Sequence, residues 1–448
     1  MNDHPAAAPI RDRLLSYAET NPVRLHMPGH KGRGITEKLD LTEIKGLCPL
    51  YPAQGVVLES EENAARLFGS GRTLYSAEGS SLCIRAMLFL TLLHARARGN
   101  APLILAGRNA HRNFVSAAAL LDLEIRWIPG DSLLTCRPSA RKVEALLEEL
   151  PDPPAAVYLT SPDYLGCIAD IPEIAEVCHR RNIPLLVDNA HGAYLRFLPE
   201  DLHPLSLGAD MTCDSAHKTL PVLTGGAYLH LHRNAPSLFL NQADRALSLF
   251  SSTSPSWLIL RSLDECNVWL SETGADQIAS LSKKIKALKG ALREIGFPVY
   301  GGEPLKITLA PKSYGYTGDQ LHDLLREKHM ECEFSDPDFL VMMLSPRNTD
   351  EELEQLLDCL KAVPRRAPIQ SAPPPVPPSE TVLSPKEALL LPSETLPLEK
   401  ACGRILSDFS VSCPPAVPIL ISGERITEEA VRCFRYYGIE CLSCVAEA

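Results

Sequence analysis

The chain alternates short apolar runs with segments that carry apolar residues at helical spacing. The strand-like runs are Leu103–Ala106, Ala156–Thr160, Pro184–Asp188 and Gly208–Cys213, and the helical segments between them are Ser81–Ala95, Asn113–Leu121 and Ile171–Arg181. This alternation, which begins with the helical segment before the first strand, is typical of an α/β domain with a mainly parallel sheet and helices on both faces. In sheets of this kind ligands bind beyond the carboxyl ends of the strands. We therefore expect the residues that follow each strand to carry the chemistry.

A second, mixed α+β region is predicted after this one. Its helices are predicted at Ser256–Asn267, Asp276–Ile295, Thr317–Lys328 and Asp350–Lys361, and its strands at Leu305–Leu309, Cys332–Phe334 and Phe339–Leu344. The proline-rich stretch Arg365–Glu380 favours a semi-rigid linker, because proline breaks helices and central strands. The predicted organisation is an N-terminal segment (1–40), a large domain (41–250), a small α+β domain (251–364), a linker (365–380) and a C-terminal α+β unit (381–448).

Composition narrows the class of protein only slightly. The 448 residues include 44 Lys and Arg against 55 Asp and Glu, a formal charge of −11, which argues against a general nucleic-acid binder. Apolar runs such as Ala86–Leu93 are shorter than the roughly 18 residues of a membrane helix, so no membrane partner is expected. The N-terminus lacks signal-peptide features, which favours a cytoplasmic protein with reduced thiols. Cys441 and Cys444 have no second cysteine pair, so small apolar side chains are favoured there over a metal or redox site.

Two residues at predicted strand ends are candidates for catalysis. Asp188 ends an apolar strand and would face the ligand crevice, although a helix N-cap is the alternative. Lys218 follows the next strand and is flanked by hydroxyl and imidazole groups. Desolvation in the crevice would lower the pKa of its ammonium and suit a Schiff-base lysine. The alternative is a solvated surface lysine.

Two further signals lie upstream of these residues. Gly79, Ser80 and Ser81 precede an apolar helix and could bind phosphate through N–H and hydroxyl groups, or only cap the helix. His111 follows a strand and could stack on a planar ring, or only hydrogen-bond locally. The order of phosphate turn, His, strand-end Asp and Lys suits pyridoxal 5'-phosphate (PLP). That cofactor needs a Lys for its aldehyde, a carboxylate for its pyridinium nitrogen and a phosphate cup.

With these motifs the sequence resembles the Orn/Lys/Arg decarboxylases of PLP fold type I, in their shorter bacterial form. The motifs that carry the resemblance are Met27–Gly32, Asp40–Ile44 with Gly46-Leu47, Asp188–Gly192, Ser215–Pro221 with Thr224-Gly225, Ser252–Ser256, Gly403–Ile405, Cys413–Pro418 and Gly423-Glu424. The resemblance implies an aspartate aminotransferase-like large domain with a small α+β domain and a C-terminal unit. It also implies PLP as the cofactor and no metal. The implied activity is the decarboxylation of arginine, lysine or ornithine to an amine in polyamine-related metabolism.

The resemblance also implies roles for individual residues. Lys218 would bond the cofactor aldehyde, Asp188 would keep the pyridine nitrogen protonated, and His111 would stack on the ring opposite Ala190. The residues implied around the cofactor phosphate are Ser80, Ser81, Ser215 and His217, and His191 of the Asp188–Gly192 motif is a further cofactor-binding candidate.

The resemblance further implies a homodimer or higher homo-oligomer with shared active sites. In it Ser251–Ser256, which includes Thr253, would reach the partner's cofactor phosphate. His30 and Lys31 would lie near the site entrance, without an assigned chemical step.

The sequence departs from the family pattern at three places. Cys48–Tyr51 stands where the family usually carries an acidic pair and a His. Asn189 stands where Glu is frequent, with Tyr194 where a second His is common. Asp163–Leu165 replaces a more usual Thr-Tyr-Tyr. None of these departures removes Lys218, Asp188 or His111.

The substrate and the reaction class stay open at this point. A basic amino acid needs an anionic partner for its distal group. The candidates for that partner are Glu43, Glu59, Asp163, Glu333 and Asp336. One alternative function is a PLP-dependent lyase or aminotransferase acting on another amino acid, since one fold hosts many reactions. Another is a PLP-binding paralogue without decarboxylase activity.

Overall fold

The structure is a computed structural model that describes residues 7–20, 38–42, 44, 47, 49–408 and 416–447. The described helices are α1 (Pro9–Glu19), α2 (Gly55–Phe68), α3 (Gly79–Arg98), α4 (Arg112–Leu120), α5 (Ala140–Glu149), α6 (Ile171–His179), α7 (Ala216–Thr219), α8 (Ser237–Ser248), α9 (Trp257–Trp269), α10 (Ala275–Ile295), α11 (Gly318–Arg326), α12 (Asp350–Ala362), α13 (Pro385–Leu390), α14 (Leu398–Ala401) and α15 (Glu428–Tyr436). The described strands are β1 (Arg72–Ser76), β2 (Leu103–Gly107), β3 (Glu124–Ile128), β4 (Ala156–Thr160), β5 (Leu185–Asp188), β6 (Met211–Asp214), β7 (Ala227–Leu231), β8 (Val299–Tyr300), β9 (Lys306–Leu309), β10 (Phe334–Ser335), β11 (Leu340–Met343), β12 (Ser393–Pro397) and β13 (Cys441–Val445).

The chain divides into two compact units. Unit 1 comprises Met1–Asn100 and Cys178–Ala279, and unit 2 comprises Ala101–Val177 and Ser280–Ala448. The domain boundaries expected from the sequence stay a prediction.

Unit 1 contains the strand order β1-β7-β6-β5. Strands β5 and β6 are parallel, and β7 is antiparallel to both β6 and β1. All residues of β5, β6 and β7 are buried, which explains why β5 and β6 read in the sequence as apolar runs rather than alternating ones. The parallel pairing brings the carboxyl ends of β5 and β6 to one edge, so the residues after Asp188 and Asp214 are neighbours.

Unit 2 contains two larger sheets. Strands β4, β2 and β3 are adjacent and parallel, in the order β4-β2-β3. An antiparallel sheet of order β10-β11-β9-β8 follows, with α11 and α12 as its helices. Both helices begin with a capping box, in which Thr317 and Thr349 accept a backbone N–H from the third helical residue, so these starts agree closely with the sequence.

The C-terminal part of unit 2 follows the proline-rich stretch, which contains no helix or strand, as predicted. Strands β12 and β13 pair antiparallel there. Their apolar core is shared with Leu133, and it includes Leu420, Phe434 and Cys444. Cys441 is exposed and Cys444 is buried.

Helix α3 meets the length and hydropathy of a membrane span. Among the described residues it is the one helix that does so, and 56% of its most apolar window is buried inside the protein. It packs against α8 and β7, so burial within unit 1 accounts for its apolar character.

The buried Glu61 of α2 should make the stability of the protein depend on pH. Its carboxylate accepts the Tyr75 N–H at 2.9 Å, and burial raises its pKa from 4.5 to about 8. Because the folded state favours the protonated acid, its contribution to stability is complete below about pH 4.5 and is lost as the pH rises towards 8. We expect the free energy of unfolding of the wild type to fall by about 1.4 kcal/mol per pH unit relative to Glu61→Gln across this range.

Urea unfolding of both proteins at several pH values measures this difference. Glutamine still accepts the Tyr75 N–H, so the comparison isolates the titration. Parallel pH profiles for the two proteins would contradict the prediction.

Candidate functional site

Asp188 occupies the strand end where the sequence places a catalytic carboxylate. It is the last residue of β5 and only 2% exposed. Its Oδ1 accepts the Ala190 N–H at 3.2 Å and the Cys213 thiol at 3.5 Å. The carboxylate is therefore fixed between two strand ends. It closes its own turn, but the next helical segment, Ala193–Phe197, has Gly192 as its N-cap, so Asp188 is not the helix cap that the alternative predicted.

Lys218 lies in the short helix α7, directly after β6. Its Nζ is 2.9 Å from Nε2 of His191, which follows β5 and is 6% exposed. Lys218 itself is exposed in the chain, so the desolvated ammonium expected from the sequence is not observed. Lys218 lies on the four-residue helix Ala216–Thr219. One hydrogen bond nevertheless links the amine to a nearly buried base.

The predicted phosphate turn brings two hydroxyls together. Ser215 Oγ donates a hydrogen bond to Ser80 Oγ at 2.9 Å, and Ser80 and Ser81 lie in the first turn of α3. The N-cap residue Glu78 makes no side-chain capping bond. The first N–H groups of a helix lack intrahelical acceptors and favour an anion. Hydroxyls and a long helix N-terminus thus meet where a phosphate is predicted.

Glycines allow the neighbouring chain segments to approach this turn. Gly79 has φ +69° and donates its N–H to the Gly225 carbonyl at 2.7 Å. A Cβ on Gly225, which has φ +99°, would lie 2.9 Å from the Ala77 carbonyl oxygen. His217 is nearby, since a Cβ on Gly79 would lie 4.0 Å from its Cε1. The Thr224-Gly225 motif therefore supports the turn.

His217 is fixed by its own backbone contact. Its Nδ1 donates to the Gly226 carbonyl at 3.0 Å. Burial, and to a lesser extent the charge of Lys218, lower the pKa of this imidazole. His217 is then neutral near pH 7, and an anion placed beside it would favour its protonated form.

The Ser251–Ser256 segment begins beside the same helix end. The Ser252 N–H donates to Glu78 Oε1 at 2.7 Å, and Thr253 is exposed. Its role at a partner's phosphate stays a prediction.

His111 belongs to unit 2 and caps α4. Its Nδ1 accepts the Asn113 N–H at 3.2 Å, and its side chain is exposed. This is the local hydrogen bond that the sequence offered as the alternative. Stacking on a cofactor ring stays a prediction.

A buried polar network behind Lys218 was missed by sequence reasoning. Asp214 ends β6 and is fully buried with His203 and His230. Asp214 Oδ1 accepts the Asn189 side-chain N–H at 2.9 Å, and Oδ2 accepts His203 Nε2–H at 2.8 Å. His203 Nδ1 accepts the Leu205 N–H, which places the ring proton on Nε2. Asp214 directly precedes Ser215, the one signal that could have identified it.

The electrostatics of this network explain how it tolerates a buried carboxylate. Burial alone would raise the pKa of Asp214, but His203 and His230 hold it below its usual range. The ligand atoms of the three residues lie within 4.8 Å of one another, which would suit a metal ion. However, His203 Nε2 and Asp214 Oδ2 are 2.8 Å apart, closer than the roughly 3.3 Å between ligands of a tetrahedral zinc ion. The geometry is that of a hydrogen bond.

Four of the carboxylates considered as partners of the substrate's distal group lie in the described part of the chain, and two of them accept backbone N–H groups of their own loops. Asp163 Oδ1 accepts the Cys167 N–H at 2.7 Å within its own loop, and Asp336 Oδ1 accepts the Asp338 and Phe339 N–H groups. Glu59 and Glu333 are exposed. Of the residues and motifs singled out in the sequence, Met27–Gly32 with His30 and Lys31, Glu43, Gly46, Cys48 and Cys413–Pro415 lie outside the described part of the chain. Substrate recognition therefore stays open.

The fold is that of the PLP fold type I enzymes. The lysine decarboxylase of Francisella novicida superposes with a TM-score of 0.80 and 16% identity, over 98% of this chain and 81% of that one. A constitutive lysine decarboxylase of Escherichia coli superposes with a TM-score of 0.77 and 16% identity, over 98% of this chain and 82% of that one. At this identity the likeness shows the fold, and it confirms the predicted fold class.

Sequence comparison adds the family. Residues 8–296 match the family model of the Orn/Lys/Arg decarboxylase major domain, and residues 378–442 match that of its C-terminal domain. An arginine decarboxylase of Halalkalibacterium halodurans is 30% identical over 94% of this chain and 91% of that protein. An arginine decarboxylase of Bacillus subtilis is 28% identical over 94% of this chain and 92% of that protein. The chain belongs to the Orn/Lys/Arg decarboxylase family, which confirms the predicted resemblance and class of enzyme.

Proposed function

We propose that the protein is a PLP-dependent decarboxylase of a basic L-amino acid, with arginine as the first candidate substrate. The observation that carries the proposal is the hydrogen bond of 2.9 Å between Lys218 Nζ and His191 Nε2, at the same strand edge as the buried Asp188. Family membership supports the reaction. Two relatives named arginine decarboxylase support the choice of substrate.

The residues of unit 1 fit PLP. The buried Asp188 carboxylate suits a pyridinium nitrogen, and the Lys218 amine suits an aldehyde. The paired Ser80 and Ser215 hydroxyls at the start of α3 suit a phosphate. When bound, this cofactor accepts the electron pair that the departing carboxylate leaves on the substrate.

The protein's own groups would prepare and protect this chemistry. His191 Nε2 lies 2.9 Å from Lys218 Nζ, so it can accept a hydrogen bond from the amine and hold it in position. Asp188, which accepts the Ala190 N–H and the Cys213 thiol, would hold a proton on a ring nitrogen. His217 would balance phosphate charge by taking up a proton on binding.

Product analysis with separate substrates tests the proposal. Purified protein with added PLP is given arginine, lysine or ornithine, and carbon dioxide and amine are measured. Citrulline is the matched control, because it has the size of arginine without the charge. We expect release from one basic amino acid and at least about 10²-fold lower kcat/KM for citrulline, since the anionic partner would be left unpaired.

The other outcomes identify the alternatives. A keto acid, or elimination without carbon dioxide, would favour a lyase or aminotransferase. A visible PLP band without any product would favour a non-catalytic paralogue. Equal rates with citrulline would contradict recognition of a charged distal group.

A further inference from the structure

We propose that Glu424 of the C-terminal unit is a positioning residue for His111, acting through Arg108. The proposal rests on the function proposed above and on the ring-stacking role that the family resemblance implies for His111. It assigns the C-terminal unit a part in orienting the turn that carries His111.

A bidentate ion pair joins Glu424 to the turn that precedes His111. Arg108 Nη1 and Nη2 donate to Glu424 Oε1 and Oε2 at 2.6 and 2.7 Å. Arg108 is 8% exposed and Glu424 is 2% exposed. A pair with this fork geometry restrains the guanidinium in orientation as well as position.

Both ends of the pair are held by further contacts. Glu424 Oε2 accepts the Ile421 N–H at 2.9 Å, and Oε1 accepts the Ser379 hydroxyl. The Arg108 N–H donates to the Ile128 carbonyl at 3.1 Å. Gly423 has φ +92°, and a side chain there would collide with the Leu383 carbonyl. The turn that presents Glu424 is therefore specific.

The restraint reaches His111 through a short segment. The Ala110 N–H donates to the Gly107 carbonyl at 3.0 Å, so Arg108 lies inside a tight turn between β2 and α4. His111 follows at once and caps α4 through its Nδ1. Helix α4 in turn packs against α13 of the C-terminal unit. A shift of the Arg108 turn would therefore move the imidazole.

A gain in folding stability does not by itself explain why the protein has a buried ion pair between Arg108 and Glu424. Replacing a buried ion pair by apolar residues of similar volume is often neutral or stabilising, whereas removing one partner leaves a costly buried charge. A charged pair on the turn before His111 thus points to control of geometry. Combining Glu424→Gln with Arg108→Met leaves no unpaired buried charge, and glutamine can still accept the Ile421 N–H, so this double variant should keep the fold.

The test compares Glu424→Gln, Arg108→Met and the double variant with the wild type. Glu380→Gln is the matched control. It removes an exposed ion pair of 3.1 Å between Glu380 and Arg425, the residue that follows Glu424. The readouts are hydrogen exchange of residues 108–120, visible circular dichroism with bound PLP, and kcat and KM for the active substrate.

In both single variants we expect residues 108–120 to exchange hydrogen faster and the visible dichroism of bound PLP to change. We also expect kcat to fall by about 10- to 100-fold with little change in KM, because a small misplacement of a positioned group costs this much. The double variant should regain a wild-type melting temperature but keep the low kcat and fast exchange. Glu380→Gln should match the wild type.

A double variant with wild-type exchange, dichroism and kcat would overturn the proposal and leave the pair a structural one. If the wild type binds PLP without turnover, the proposed function fails, and exchange and dichroism still decide the coupling. If it binds no PLP, exchange of residues 108–120 decides it alone, because unchanged exchange in both single variants would refute the link.

Discussion

Replacing Lys218 by alanine should abolish carbon dioxide release, with a loss of at least about 10³-fold in kcat. The variant lacks the amine that would bond the cofactor aldehyde, and His191 Nε2 loses its partner at 2.9 Å. Carbon dioxide release measures the loss. Borohydride reduction followed by peptide mass analysis should place PLP on Lys218 in the wild type and nowhere in the variant.

Lys142→Ala is the control for this prediction. Its Nζ contacts the Pro129 carbonyl and Asp131 at 2.9 and 3.1 Å, in unit 2. We expect full activity and the same labelled peptide in this protein. A label on another lysine, or turnover that survives Lys218→Ala, would place the cofactor elsewhere.

The elements of the fold were predictable where local physics decides them. Asp350–Ala362 begins at a capping box and has a clear apolar face, so the predicted helix agrees at its start and differs by one residue at its end. Strand β5 agrees because its first three residues are apolar and all four residues are buried. Strand β3 was missed, since only its last residue is buried and its sequence lacks an apolar run.

The site was predictable where its residues follow a strand end, and less so elsewhere. Asp188 ends β5, and Ser215 and Lys218 follow β6 within four residues, so the sheet brings these candidates together. His203 and His230 come from a loop and from inside β7, and no spacing in the sequence connects them to Asp214. Only the tertiary fold brings the two histidines to Asp214.

The network also explains one departure from the family pattern. Asn189 donates its amide hydrogen to Asp214 at 2.9 Å. A glutamate at this position would place a second carboxylate against Asp214 in a buried site, where two like charges are costly. A side chain on Gly192 would collide with the Asn189 carboxamide, so the whole turn is fitted to an amide.

Replacing Asp214 by asparagine should therefore have the largest effect on stability, lowering the free energy of unfolding by about 3–5 kcal/mol at pH 7. Asparagine lacks the charge that His203 and His230 stabilise, and its NH2 group would face one of the two donors, Asn189 or His203, whichever oxygen it replaces. Because the folded state depresses the pKa of Asp214 below 3.8, the contribution is present above that pH and is lost as the pH falls further. The difference between wild type and variant should accordingly shrink in acid.

Urea unfolding of both proteins at pH 7 and in acid measures this effect, with Asp358→Asn as the control. Asp358 is 76% exposed and lies 3.4 Å from Lys361, a surface pair worth at most about 1 kcal/mol. Since Asp214 directly precedes Ser215, and Asn189 directly follows Asp188, loss of the network should also loosen the strand ends that carry the site. An Asp214 variant as stable as the Asp358 variant at pH 7 would mean that the buried histidines do not depend on this carboxylate.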